Sequence, residues 1–257
     1  MTHASEQGHW YRRDGTPCYT VKAKDGSDRP ATLADARKLG LCPGVTSILN
    51  CAAKPGLERW KQQQVLLAAL TLERKPNEPE YLYLARILDD SAEQARKAAA
   101  RGTSIHAAIQ GHYEGTPPDP EYWPFVSSVV AQLDSRYGKQ PWIAERSFAS
   151  PLGYGGKIDL HCDSILLDVK TKEFEEPIKK LAWDEHAMQL AAYDAGLSAG
   201  AWKTCANVFV STKVPGLIHI HEWDVEELDR AWWKFQALLA YWQWDRNYKC
   251  GWEKEAA

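Results

Sequence analysis

The feature that most constrains this 257-residue chain is a change of rhythm near residue 140. Upstream, apolar residues such as Leu84, Ile87 and Leu88 recur with the period of a helix. Residues 142–148 instead alternate as a strand does. A glycine-rich approach, Pro151-Leu152-Gly153-Tyr154-Gly155-Gly156, leads to a second strand at 157–162. Asp163-Ser164 supplies a turn, and a third strand fills 165–170. Two strands joined by so short a turn pair as antiparallel neighbours, which brings Asp159 towards Asp168 at one end of a sheet.

The rest of the chain completes an α/β pattern. Residues 1–45 read as irregular, with a small hairpin around Tyr19-Thr20-Val21. Thr46 or Ser47 is a candidate cap for a helix, and a helical stretch follows from about residue 56 to 72. Lys75-Pro76-Asn77-Glu78-Pro79 breaks it. Helix resumes over 81–100, and Gly102 is expected to interrupt it before 103–109. A loop at 115–120 and a helix at 124–137 precede the strands. Helix at 184–197 and strands at 207–210 and 218–223 follow, then a long helix capped by Asp224 that reaches about residue 247. The fold class expected is α/β: a mixed central sheet of about five strands flanked by helices. A hairpin and helical portion, 1–100, would pack on a core, 101–257, as one unit.

The two acids carry the chemistry. Carboxylates that close repel unless a cation sits between them, and hard oxygen ligands suit Mg2+ or Mn2+. Asp168 and Lys170 share a strand face while Val169 points into the core. Lys170 can then orient a water or stabilise charge developing on a phosphate. Without the flanking apolar run Ile165-Leu166-Leu167 and the glycines before Asp159, the same residues would read as an ordinary charged hairpin. Gln189 and Tyr193 lie four apart on one helix face, with Glu185 a turn earlier; a solvated polar face explains Glu185. His106 on its helix is either a core histidine or a metal ligand, and imidazole would favour Mn2+. Glu145 is either an exposed strand acid or a neighbour of the metal. Arg101, Lys172, Lys179 and Lys180 could form a track for phosphates, although the net charge is −3.

Composition excludes other classes. No apolar run approaches the roughly 20 residues of a membrane span, and the polar start lacks a signal-peptide core, so a cytoplasmic location in a cell or phage-infected host is expected. The six cysteines are scattered without a C-x-x-C pair, which fits a reducing compartment and no zinc or iron–sulfur cluster. Most of the 12 tryptophans are expected in the core, with a few able to stack on unpaired bases.

Taken together, these motifs resemble the PD-(D/E)XK nuclease superfamily, in particular its RecB-like exonuclease branch. Arg101-Gly102-Thr103-Ser104-Ile105-His106 is similar to the branch's upstream helix, and Met188-Gln189-Leu190-Ala191-Ala192-Tyr193 to its downstream Q-x-x-x-Y motif. Val45-Thr46-Ser47-Ile48-Leu49 with Leu57-Glu58-Arg59-Trp60 resembles the N-terminal segment of phage and mitochondrial members. The resemblance implies a restriction-endonuclease-like core. It implies metal held by His106, Asp159, Asp168 and the Val169 carbonyl, with Asp159, Asp168, Lys170, Gln189 and Tyr193 catalytic and Glu145 close by. Gln189 and Tyr193 would support the lysine and, with Arg101 and Lys172, contact DNA. It implies an exonuclease acting on single- or double-stranded DNA with a free end, in recombination, repair or replication, with a separate recombination or single-strand-binding protein as a candidate partner. An endonuclease on the same core, a catalytically silent DNA-binding scaffold, and RNA as substrate stay open.

Overall fold

The computed structural model describes residues 9–197 and 204–250. Strand β1 (Trp10–Tyr11) is followed by the hairpin of β2 (Thr20–Lys22) and β3 (Asp28–Pro30), as the turn residues lead one to expect. The described part of the segment, from residue 9, is not otherwise irregular, and residues 1–8 lie outside the described residues. Helix α1 (Leu33–Leu39) is closed at its start by a capping box, in which Thr32 Oγ1 accepts from Asp35 N–H and Asp35 accepts from Thr32 N–H. Gly40, at φ 65, ends it in the left-handed conformation. Strand β4 (Cys42–Pro43) pairs antiparallel with β1. Helix α2 (Val45–Leu49) starts from Gly44 without a side-chain cap, so Thr46 and Ser47 lie inside the helix rather than capping it.

Helix α3 (Pro55–Thr71) packs against α4 (Glu80–Tyr113), and the turn between them is pinned by the Arg86–Glu78 ion pair and by Tyr83 Oη donating to the Leu72 carbonyl at 2.8 Å. Gly102 does not interrupt α4, which runs 34 residues unbroken. A Cβ there would stand 2.5 Å from Thr171 Oγ1, so glycine lets the helix close on the sheet instead of ending it. The expected division at residue 100 therefore falls inside a continuous helix.

Helix α5 (Trp123–Tyr137) leads to β5 (Ile143–Ser150), β6 (Tyr154–His161) and β7 (Ile165–Lys172), then α6 (Asp184–Leu197), β8 (Thr204–Ser211), β9 (Ile218–Glu222) and α7 (Val225–Asp245). Asp224 caps α7 in a capping box with Glu227. The five strands form one mixed sheet in the order β5-β6-β7-β8-β9, with β7 and β8 parallel and every other pair antiparallel. Gly155 and Gly156 belong to β6 rather than to an approach loop, paired with Ala149 and Phe148. A Cβ on Gly156 would meet the rings of Phe148 and Tyr193 at 2.7 Å.

Helices cover both faces. Ile105 and Ile109 of α4 and Phe125, Val129 and Leu133 of α5 pack on Leu167, Val169, Val208 and Val210. On the other face Ile48, Leu190, Phe235 and Leu239 pack on Tyr154, Ile158, Leu166 and Cys205. The tryptophans do not mostly fill these cores. Trp10 and Trp242 are buried and Trp142, Trp223 and Trp232 pack half-buried against the cores, but Trp60, Trp123, Trp183, Trp233 and Trp244 are exposed; Trp202 and Trp252 lie outside the described residues. No helix among the described residues is long and apolar enough to cross a membrane.

The fit of β5 against α6 turns on Gly196, where a Cβ would land on the Phe148 ring. Helix propensity alone would make Gly196→Ala stabilising by roughly 1 kcal/mol. Overpacking should reverse the sign, with a net loss of about 1–3 kcal/mol in a urea melt. An unchanged or raised midpoint would contradict this packing.

Candidate active site

The site begins where a ladder stops. β6 and β7 pair at Leu160↔Leu167 and His161↔Leu166 and no further, although the same register would set Val169 opposite Ile158. The Val169 N–H donates instead to Asp159 Oδ2 at 2.7 Å. An acid side chain thus replaces a strand carbonyl and satisfies the exposed donor. A residue's N–H and C=O lie on the same edge of a strand, so the Val169 carbonyl faces the same gap.

The gap coincides with a change of face. Ile158 belongs to the α6–α7 core, yet Leu160, two residues on, belongs to the α4–α5 core. Strand β5 does the same, with Phe148 on the first side and Ala144 on the second. Glu145, which the register sets opposite Asp159, has φ 57, a left-handed backbone that a glutamate seldom adopts. Its carboxylate pairs with Lys157. This reversal carries Asp159 towards α4, where His106 Nε2 lies 3.1 Å from Asp159 Oδ2.

Asp168 and Lys170 stay on the α6 face. Asp168 is fully buried, with Oδ1 accepting from Lys170 Nζ at 2.7 Å and Oδ2 from Asn207 Nδ2 at 2.8 Å. Asn207 faces Asp168 across the parallel β7–β8 pair, and its own Oδ1 accepts from Trp223 Nε1 at 2.8 Å. Sequence reasoning missed Asn207 and Trp223; the one signal was a polar residue inside the apolar run of β8.

The charges interact as one group. Burial pushes the Asp168 carboxyl up to about 6 against the pull of Lys170, and the nearby Asp159 charge adds to the rise. Burial also acts on Asp159, but its hydrogen bond with His106 and the charges of His106 and Lys170 hold it below the usual carboxylate range. The hydrogen bond to Asp159 holds His106 above its ordinary value despite burial. Burial opposes the charge on Lys170, and Asp168 and Asp159 outweigh it.

The remaining candidates separate into two groups. Gln189 and Tyr193 are buried, joined by a 2.8 Å bond from Gln189 Nε2 to Tyr193 Oη. They stand behind the acids, whose charges raise the Tyr193 hydroxyl further after burial has raised it. Arg101 is exposed five residues before His106, on a different side of α4. Lys172 turns inward, donating to the Leu181 carbonyl at 3.0 Å with its Nζ 5.2 Å from the Phe209 ring centre. Glu185 is half-buried, and its charge favours the ionised forms of Lys170 and Lys172. A shallow depression lined by His106, Gln110, Tyr113, Asp159 and Val169 opens onto the Asp159 side.

Among the described residues, no three His, Cys, Asp or Glu side chains stand as a ready cage for a metal. By chemistry the donors that flank the gap are of the kind a divalent ion such as Mn2+ takes, two carboxylates, an imidazole and one strand carbonyl, with Asp159 leaning to the α4 side and Asp168 to the α6 side. Binding would exchange the Lys170 contact of Asp168 and the His106 contact of Asp159 for the ion. No family model matches the chain, and no curated protein matches it.

An ion needs Asp168 ionised and His106 neutral, so its binding should release protons. With Asp168 titrating at about 6 and His106 above its ordinary value, Mn2+ affinity should be weak at pH 5 and climb through and beyond pH 6. Calorimetry in buffers of different ionisation enthalpy reads the released protons. His106→Ala should flatten the upper part of the climb, and Asn207→Ala should move the Asp168 part to higher pH. A pH-independent affinity would contradict the assignment.

Proposed function

We propose that this chain is a metal-dependent deoxyribonuclease of the PD-(D/E)XK type, on a restriction-endonuclease-like core, and that it acts as an exonuclease of the RecB-like branch. The observation that carries the reading is the parted β6–β7 pair, where Asp159 takes the Val169 N–H and leaves two acids, a carbonyl and Lys170 around one gap. A five-stranded mixed sheet with helices on both faces is the setting that the resemblance calls for.

Asp159, Asp168, His106 and the Val169 carbonyl would hold Mg2+ or Mn2+. When bound, such an ion neutralises phosphate charge and makes its water a stronger acid. Lys170, released from Asp168, orients the attacking water or meets charge developing on the phosphate oxygens. Asn207 holds Asp168 in place, with Trp223 behind it. Gln189 and Tyr193, being buried, position the wall beside Lys170, and any contact they make with DNA needs the site to open. Arg101, exposed on α4, would contribute charge for the phosphate backbone. Lys172 contributes charge from a tethered position.

The test is digestion of end-labelled linear and closed circular DNA, with Mg2+ or Mn2+, by the wild type and by Lys170→Ala. The wild type should degrade the linear DNA and leave the circle intact. Lys170→Ala should lose activity by roughly 100-fold or more while binding Mn2+ at least as tightly, because it frees an Asp168 oxygen. Cutting of the circle would favour an endonuclease on the same site. An inert wild type that still binds DNA would favour a silent scaffold.

A further inference from the structure

Helix α7 buries Leu228, Ala231, Phe235, Leu239 and Trp242 against the domain. Its opposite face is exposed and carries Arg230, Trp233, Ala237, Ala240 and Trp244 at alternating spacings of three and four, the seam of a two-helix coiled coil. Trp233 is 66%, Tyr241 57% and Trp244 78% exposed, which is unusual for side chains of this size. The seam reads the same in both directions. About a centre between Leu238 and Leu239, Ala237 matches Ala240 and Trp233 matches Trp244. A two-fold axis through that centre sets a second α7 antiparallel, with alanine on alanine in the middle, where backbones come closest, and tryptophan on tryptophan at both ends.

The helix dipoles favour the same orientation, since an antiparallel pair opposes them and a parallel pair aligns them. Charges are mixed at both ends of α7: Asp224, Glu226, Asp229 and Arg230 are exposed at its start, and Asp245 and Lys249 at its exit, with Lys249 Nζ 5.9 Å from the Trp244 ring centre. With large aromatic side chains covering about 150–250 Å2 each, the three exposed aromatics of two copies offer on the order of 900 Å2. The flanking seam residues then bring the contact into the range of a specific interface, about 1,200 Å2 or more.

We propose that the exposed face of α7 is a homodimer interface, pairing two copies of this chain antiparallel about a two-fold axis between Leu238 and Leu239. The contact lies on the side of α7 turned away from the sheet, so pairing leaves the gap between β6 and β7 open in both copies.

Sedimentation equilibrium of the full chain over a wide concentration range tests this. The wild type should be a dimer that dissociates on dilution. Ala240→Glu and Trp233→Glu should be monomeric at every concentration, with far-UV circular dichroism and urea midpoint unchanged. A monomeric wild type, as would follow if another part of the same chain covered the stripe, overturns the proposal. So does an assembly of any size that survives Ala240→Glu. Orientation is read by oxidation with diamide. A mixture of Ala237→Cys and Ala240→Cys proteins should give a linked dimer in much higher yield than either alone. Equal linking by Ala237→Cys alone would mean a parallel pair and would also overturn it.

Discussion

Two carboxylates near enough to feel each other's charge repel, and a buried one stays ionised only with partners. The protein answers this differently for each acid. Asp159 is stabilised as an anion by a backbone N–H and by His106. Asp168, deeper and fully buried, leans on Lys170 and Asn207 and still titrates near 6. The pair is under electrostatic tension that a divalent cation would relieve, and the surrounding structure serves to keep them there.

The sheet is shaped around that requirement. A regular β5-β6-β7 meander would put the Ile158 carbonyl on Val169 and leave no gap. The left-handed backbone at Glu145 and the change of face beside Asp159 break the regularity in both strands at one level. Strain of this kind persists only when neighbouring structure fixes it. Here the Glu145–Lys157 ion pair, the long α4 passing over Gly102, and the Phe148 ring wedged against Gly156 and Gly196 hold it in place.

Much of this was legible in the residues, for identifiable reasons. Helix α6 and the capped start of α7 carry strong local signals, and the Asp163-Ser164 turn fixes the β6–β7 partnership. The rest depends on tertiary structure. Helix α1 is too short to show a period and is announced only by an aspartate where a capping box usually has glutamate. Gly102 reads as a breaker, because nothing local reveals that Thr171 will lie against it. Plain strand alternation hides the reversal at Asp159, and Asn207 gains its role from a parallel partner 39 residues away. Lys172, exposed in any sequence reading, is drawn inward by a carbonyl and an aromatic ring.

We propose that the gap between β6 and β7 holds a divalent ion. Anomalous scattering from crystals grown with Mn2+ addresses it directly. One peak is expected in contact with Asp159, Asp168 and the Val169 carbonyl, with Lys170 Nζ turned away from Asp168. Crystals that show no peak there, with the Lys170–Asp168 pair intact at saturating Mn2+, would contradict it.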